Sequence, residues 1–242
     1  MNEREWLDGE KTGTLIAHAK KVGSERKLRL FALACCRRIE HLLVDKRSVA
    51  ALAALENYIE GKCTSAELEH HCLESKQAVD AIEAPLRDEH GVVRTNAQSM
   101  AACAVKWAVN SNITPQSAIS SVALWSSGSV TSVIYDRIQV RIAEFVAAER
   151  AETLVQCQLI RDICGNPFRR PKIDSTCLEW RDGTIIKLAQ TIYLDQVFDE
   201  LPILADALEE AGCTDADVMS HCRGPRPHVR GCWVVDLILG KA

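Results

Sequence analysis

Apolar residues recur along the chain at three- and four-residue steps, the spacing of helix faces turned toward a core. Leu15, Ile16 and Ala19 give a short lead-in before residue 23. Leu28, Phe31, Cys35, Ile39 and Leu42 then form a stripe that Ser24 opens as an N-cap and that runs to about Asp45. Ser48 is the expected cap of the next helix, which Gly61 ends. Thr64 and Glu67 make a capping box, each side chain satisfying a free backbone N–H. The helix it opens stops before Pro85, and 86–95 reads as a loop. Asn96 or Thr95 starts a small-residue helix through Met100, Cys103 and Trp107, and Thr114–Pro115 starts another.

A turn is expected at Ser126–Ser129 around Gly128, followed by the longest periodic element, Val130–Cys164. Ile134, Ile138, Ile142, Phe145 and Val146 would line one half of it, and Leu154, Cys157, Ile160 and Cys164 the other. Gly165–Asn166–Pro167 is a firm stop. Residues 165–183 hold two prolines and Gly183 with little periodicity, and read as a linker. Helices follow at Thr184–Gln196, Leu201–Ala211, Thr214–Cys222 and Val229–Leu239, with a short strand at Val234–Leu239 as the alternative. The expectation is an all-α protein: an irregular helical bundle with one long central helix (1–164), a linker (165–183) and a smaller C-terminal helical region packed on the first (184–242).

Composition narrows the function classes. Of the 242 residues, 47% are hydrophobic but only 5% aromatic, so the core is aliphatic. The net charge of −4 argues against a whole-surface attraction to nucleic acid or anionic lipid. Met1–Glu10 is polar and acidic rather than a basic-then-apolar secretory leader, and no window approaches the roughly 18–20 apolar residues of a membrane span. A cytoplasmic location is the expectation. The eleven cysteines are then reduced packing residues, with Cys35, Cys103, Cys157 and Cys164 on apolar stripes.

Three segments, LRLFALACCRRIEHLL, LIRDICGNPFRRPKID and the stretch from Leu201 to Lys241, together resemble a family of planctomycete proteins present in many paralogous copies. The likeness is densest over Leu154–Lys241. The resemblance brings a relative and no activity.

Candidate chemistry gathers near the C-terminus. Cys213, His221, Cys222, His228 and Cys232 fall within twenty positions, and zinc takes four such ligands at one tetrahedral point. Their spacing is not that of a finger or ribbon, so the bland reading is core cysteines and polar-loop histidines. Zinc is thus a possible cofactor, with none as the first expectation. A second group, Cys63, His70, His71 and Cys72, reads as a solvated histidine pair, because neighbouring helical residues point about 100° apart. Cys35–Cys36 beside Arg37–Arg38 invites a reactive-thiol reading that the core-facing position of Cys35 opposes.

Charge segregates in the same region. Asp195, Asp199, Glu200, Asp206, Glu209, Glu210, Asp215 and Asp217 are followed by Arg223, Arg226 and Arg230. The arginines either fold back on these acids or form a Pro-stiffened recognition loop, with His228 and Trp233 beside them, for a protein partner or a phosphate. No Gly-rich phosphate loop, H-E-x-x-H or G-x-S-x-G pattern occurs. The leading expectation is a non-catalytic protein–protein interaction module, an adaptor or regulatory subunit. The alternatives are a zinc-stabilised helical domain and a nucleic-acid-binding accessory protein using the Arg223–Arg230 loop.

Overall fold

The computed structural model describes residues 1–137, 142–224 and 227–241. Among them the protein is all-α, with twelve α-helices and no strand. None of these helices is long and apolar enough to cross a membrane. The helices are α1 (Glu3–Asp8), α2 (Thr12–Val22), α3 (Glu25–Arg38), α4 (Lys46–Ile59), α5 (Ser65–Glu83), α6 (Ala97–Ala108), α7 (Pro115–Arg137), α8 (Ile142–Cys164), α9 (Ser175–Asp195), α10 (Leu201–Glu210), α11 (Ala216–Arg223) and α12 (Trp233–Leu239).

Local signals set most of the boundaries. Ser24 accepts from the backbone of Lys27, and the capping boxes at Thr64 and Asn96 are both formed. Several boundaries differ from the sequence reading: α11 is capped by Asp215 rather than opened by Thr214, and α12 begins at Trp233 rather than Val229. The stripe of α3 ends at Arg38, and residues 40–42 tighten into a 3-10 turn instead of continuing to Asp45. Asp45, rather than Ser48, then caps α4 by accepting from the Arg47 backbone, leaving Ser48 fully buried.

The expected turn at Ser126–Ser129 is helix, and the physical reason is visible. Ser126 and Ser129 are fully buried and return their hydroxyls to the carbonyls of Ala123 and Ser126, at 3.1 and 2.7 Å. Gly128 stays helical because α6 presses on it: a Cβ there would lie 3.1 Å from Met100 Sδ. Of the expected long element from Val130, the described residues fall in α7 up to Arg137 and in α8 from Ile142. Residues 138–141, with Ile138, lie outside the described residues, as does the side chain of Ile134. Cys157 and Ile160 are buried as expected, but Ile142 (81% exposed) and Val146 (53%) face solvent.

Buried side chains gather into two main clusters. One runs from Trp6 to Ile163 and joins α1–α8; the other runs from Cys177 to Ile238 and joins α9–α12. The stretch expected as a linker contributes to the second: Ser175 begins helix, and non-helical backbone at 180–183, with positive φ at Arg181, Asp182 and Gly183, kinks α9 before it continues. Residues 234–239 are helical, which removes the strand alternative. The eleven cysteines are all free, and nine of them are buried.

Ion pairs tie the two clusters together. Arg26 at the start of α3 reaches Asp236 at 2.5 Å and the Tyr193 hydroxyl at 2.9 Å. Tyr193 donates in turn to Glu60, which also takes Lys241 at 3.2 Å. Gly231 lets the loop before α12 lie flat on α3: its φ is +95°, and a Cβ would sit 2.7 Å from Leu30 Cδ1.

Two glycine substitutions test this packing. Gly231→Ala adds both a clash and backbone strain, and is expected to lower unfolding free energy by about 2–3 kcal/mol. Gly13→Ala, on an open face of α2 with nothing within 4 Å, is expected to be neutral or to stabilise by up to about 1 kcal/mol. Urea titrations of both variants separate the two outcomes.

Candidate functional site

The kinked α9, α10 and α11 fold so that the loop after α11 runs back across the end of α8. Asp215 caps α11 by accepting from the backbone of Asp217 and Val218, which aims His221 inward from the last turn. Beyond Gly224 the chain returns through His228 and Val229 to Cys232, the cap residue of α12. Four side chains meet here: Asp162 in the last turn of α8, His221, His228 and Cys232. Their donor atoms lie within 4.8 Å of one another, and this is the metal-type cluster found among the described residues. Asp162 and Cys232 are fully buried, and His221 is 3% exposed.

The hydrogen positions follow from the partners. Trp233 Nε1 can only donate, and it donates to His221 Nδ1 at 2.9 Å. A neutral His221 therefore carries its hydrogen on Nε2, which lies 3.2 Å from both Asp162 Oδ1 and Cys232 Sγ. An ionised carboxylate can only accept, so His228 donates from Nδ1 to Asp162 Oδ1 at 2.6 Å. The Val229 backbone donates to Oδ2 at 3.0 Å. Burial alone would raise the Asp162 carboxyl, but the hydrogen bonds it accepts from His221 and His228 outweigh it, and its pKa is lowered. What remains is His228 Nε2, a buried nitrogen with no hydrogen-bond partner.

The donor set has the number and kinds of ligand that zinc takes, and the same side chains also bond to one another, so metal and hydrogen bonds compete for the same atoms. A metal on His221 Nε2 needs that lone pair, with the hydrogen moved to Nδ1, where Trp233 already places its own. The 2.6 Å between Asp162 and His228 is a hydrogen-bond length, shorter than the about 3.3 Å edge between ligands of a tetrahedral zinc. Burial, and next the Asp162 charge, also hold the Cys232 thiol well above its ordinary pKa. As placed, the four side chains form a hydrogen-bond network that is left open at His228 Nε2.

The other expected residues distribute as follows. Cys213 and Cys222 stand outside the cluster and pack in the C-terminal core, where burial pushes Cys222 up to about 12. His70 and His71 share Glu74 rather than converging with Cys63 and Cys72. Burial raises Cys35 well above the ordinary range and Cys36 to about 12, which leaves no reactive thiolate. Arg223 pairs with Asp206 at 2.8 Å and Glu209 at 2.6 Å. Arg230 lies 3.2 Å from Glu56 and over the Tyr193 ring. Arg226 lies outside the described residues. Arg223, His228 and Arg230 are thus engaged within the chain; His228 and Arg230 also line a small cavity beside α3, and Trp233 borders a larger groove.

That groove, about 510 Å³, runs between the two clusters. Val22, Pro167, Pro171, Trp233 and Leu237 line it, with Lys27 among them. Trp233 is held there by its bond to His221 and by Gly165, where a Cβ would meet the indole at 3.1 Å.

Asp162→Asn replaces an acceptor with an amide that must oppose one of three donors, and is expected to cost about 3 kcal/mol. Because the folded pKa of Asp162 is depressed, its contribution is present above the usual carboxylate range and is lost as pH falls through the folded value. The acid limb of stability against pH should accordingly flatten in Asp162→Asn. In the same thermal melts, a chelator should leave the wild-type midpoint unchanged; a drop of several degrees would restore the zinc reading. No family model, curated protein or solved structure matches the chain.

Proposed function

We propose that the protein is a non-catalytic binding module, an adaptor or regulatory subunit, which takes a segment of a partner protein into the groove between its two helical clusters. The observation that carries this reading is the lining of that groove. Trp233 supplies a fixed aromatic face, and Val22 and Leu237, 50% and 39% exposed, add apolar surface already open to solvent. An anchored indole of this kind costs little entropy to engage, a property of binding hot spots.

Charge selects the partner chemistry. Of the cations lining the groove, Arg169 is engaged with Glu3 and Asp217, and Lys241 with Glu60. Lys27 has no ion-pair partner among the described residues, and it stands in the first turns of α3 beside Ser24. The fitting segment carries an apolar side chain next to an acidic one. Arg223 and Arg230, already neutralised by Asp206, Glu209 and Glu56, favour this reading over nucleic acid, which requires unpaired cations along one face.

Two half-exposed positions make the test. A tagged pull-down from the native host, with nuclease, is expected to recover a stoichiometric protein partner. Lys27→Glu and Leu237→Asp should each reduce that recovery at least tenfold while leaving the circular dichroism spectrum unchanged. Equal recovery with both variants, or recovery only without nuclease, would refute the groove as the binding surface.

A further inference from the structure

We infer that Asp162, His221, His228 and Cys232 form an exchangeable zinc site, which the chain loads by giving up one proton. The inference concerns the buried cluster alone and stands whether or not the groove takes a partner. Four ligand atoms, one from each side chain, lie within 4.8 Å of one another. Three parts of the chain supply them: the last turn of α8, the last turn of α11 and the loop that ends at the cap of α12. Two imidazoles, a thiol and a carboxylate are the ligand types that zinc takes four at a time, whereas magnesium and calcium prefer sites built of oxygen.

The cysteine is what a hydrogen-bond network leaves unexplained. Asp162 already has His221, His228 and the Val229 amide as donors. The Cys232 sulfur, a weak acceptor, stands 3.2 Å from His221 Nε2, whose one hydrogen Asp162 Oδ1 claims at the same distance. As a thiolate in that place it is a strong zinc ligand. Burial and the Asp162 charge oppose the thiolate, and the backbone amides of Val235 and Val234 favour it. Such support behind a ligand is a feature of metal sites, and Asp162 has it too, through the Val229 amide on Oδ2.

The distances are close to those of a filled site. Zinc with these ligands has tetrahedral edges of about 3.3–3.6 Å, and His221 Nε2 is already 3.2 Å from both Asp162 Oδ1 and Cys232 Sγ. The 2.6 Å between Asp162 Oδ1 and His228 Nδ1 has to open, by less than about 1 Å. Loading breaks one S–H bond: the electron pair of Cys232 goes to the metal and the proton to solvent. Each imidazole gives one lone pair and keeps its hydrogen on the other nitrogen. At His228 that nitrogen is Nε2, which has no partner to lose. At His221 it is Nδ1, so the Trp233 N–H gives up its acceptor. The thiolate and the carboxylate together then balance the charge of the buried ion.

The site is exchangeable rather than structural because the metal-free side chains already hold one another. The fold therefore stands without the ion, in keeping with the unchanged melting midpoint expected in chelator. Entry is by the loop. His228 and Val229 separate the cluster from the cavity beside α3, about 320 Å³ in volume, and their displacement opens the cluster to water.

The test uses the full chain, treated with a chelator and then freed of it, with zinc and cobalt(II) as probes. Titration calorimetry is expected to show one zinc per chain with a Kd of about 1 μM or tighter. In buffers of different ionisation heat it should also show the release of one proton. Zinc at roughly a hundred times that Kd should raise the melting midpoint by about 5–10 °C. Cobalt should give a thiolate-to-metal absorption band, and nitrogen-15 spectra should show the Trp233 indole N–H shifted on loading. Cys232→Ser and His228→Gln should each weaken zinc binding at least about tenfold, and Cys232→Ser should also abolish the band. His70→Gln, on the exposed histidine pair, should bind as the wild type does. No binding, binding without a sulfur band, or undiminished affinity in a folded Cys232→Ser would overturn the inference. Should Cys232→Ser fail to fold, the wild-type indole signal decides: an ion that leaves it unmoved is not on His221, and the inference fails.

Discussion

A carboxylate without water must be given donors, and Asp162 is such a carboxylate. It sits fully buried in the last turn of a helix, where the carbonyl ends of the backbone already make the potential negative. Two imidazoles and one backbone amide answer it, and all three come from elements of the C-terminal cluster. The requirement reaches outward from there. It sets the tautomer of both histidines, and through His221 it orients Trp233, whose ring lies against Gly165 at the end of the same helix. The loop must then pass close to α3, which only a residue with the freedom of Gly231 permits.

Much of the fold is legible in the sequence because its causes are local. Capping at Ser24, Thr64 and Asn96 depends on residues three apart, and the core stripe of α3 on steps of three and four. Misreading arose where a local signal was answered from afar. Serines and a glycine at 126–129 have turn chemistry, yet α6 packs on Gly128 and the serines bond back within the helix. Likewise, residues 165–183 lack periodicity but still place Cys177 in the second core.

The candidate site was half legible. Spacing drew attention to His221, His228 and Cys232, and the structure brings these three together. Asp162 was missed because it lies 66 positions before the histidine it bonds, a distance no local pattern spans. One signal did exist: an acid inside an apolar stripe, just before a helix-ending glycine, is poorly placed unless something pairs it. The arginines were legible as a group, and the partners of Arg223 lay in view at Asp206 and Glu209; Glu56, which meets Arg230, comes from distant α4 and only packing brings it there.

The separation between Asp162 and its donors also has a meaning in time. A ribosome adds roughly 5–20 residues each second, so the 66 positions between Asp162 and His228 take roughly 3–13 seconds to make. During that interval the groups that cover Asp162 do not yet exist, and water meets its carboxylate in place of His221, His228 and the Val229 amide. The end of α8 is thus sealed last, when the C-terminal elements close over it and exchange that water for fixed donors.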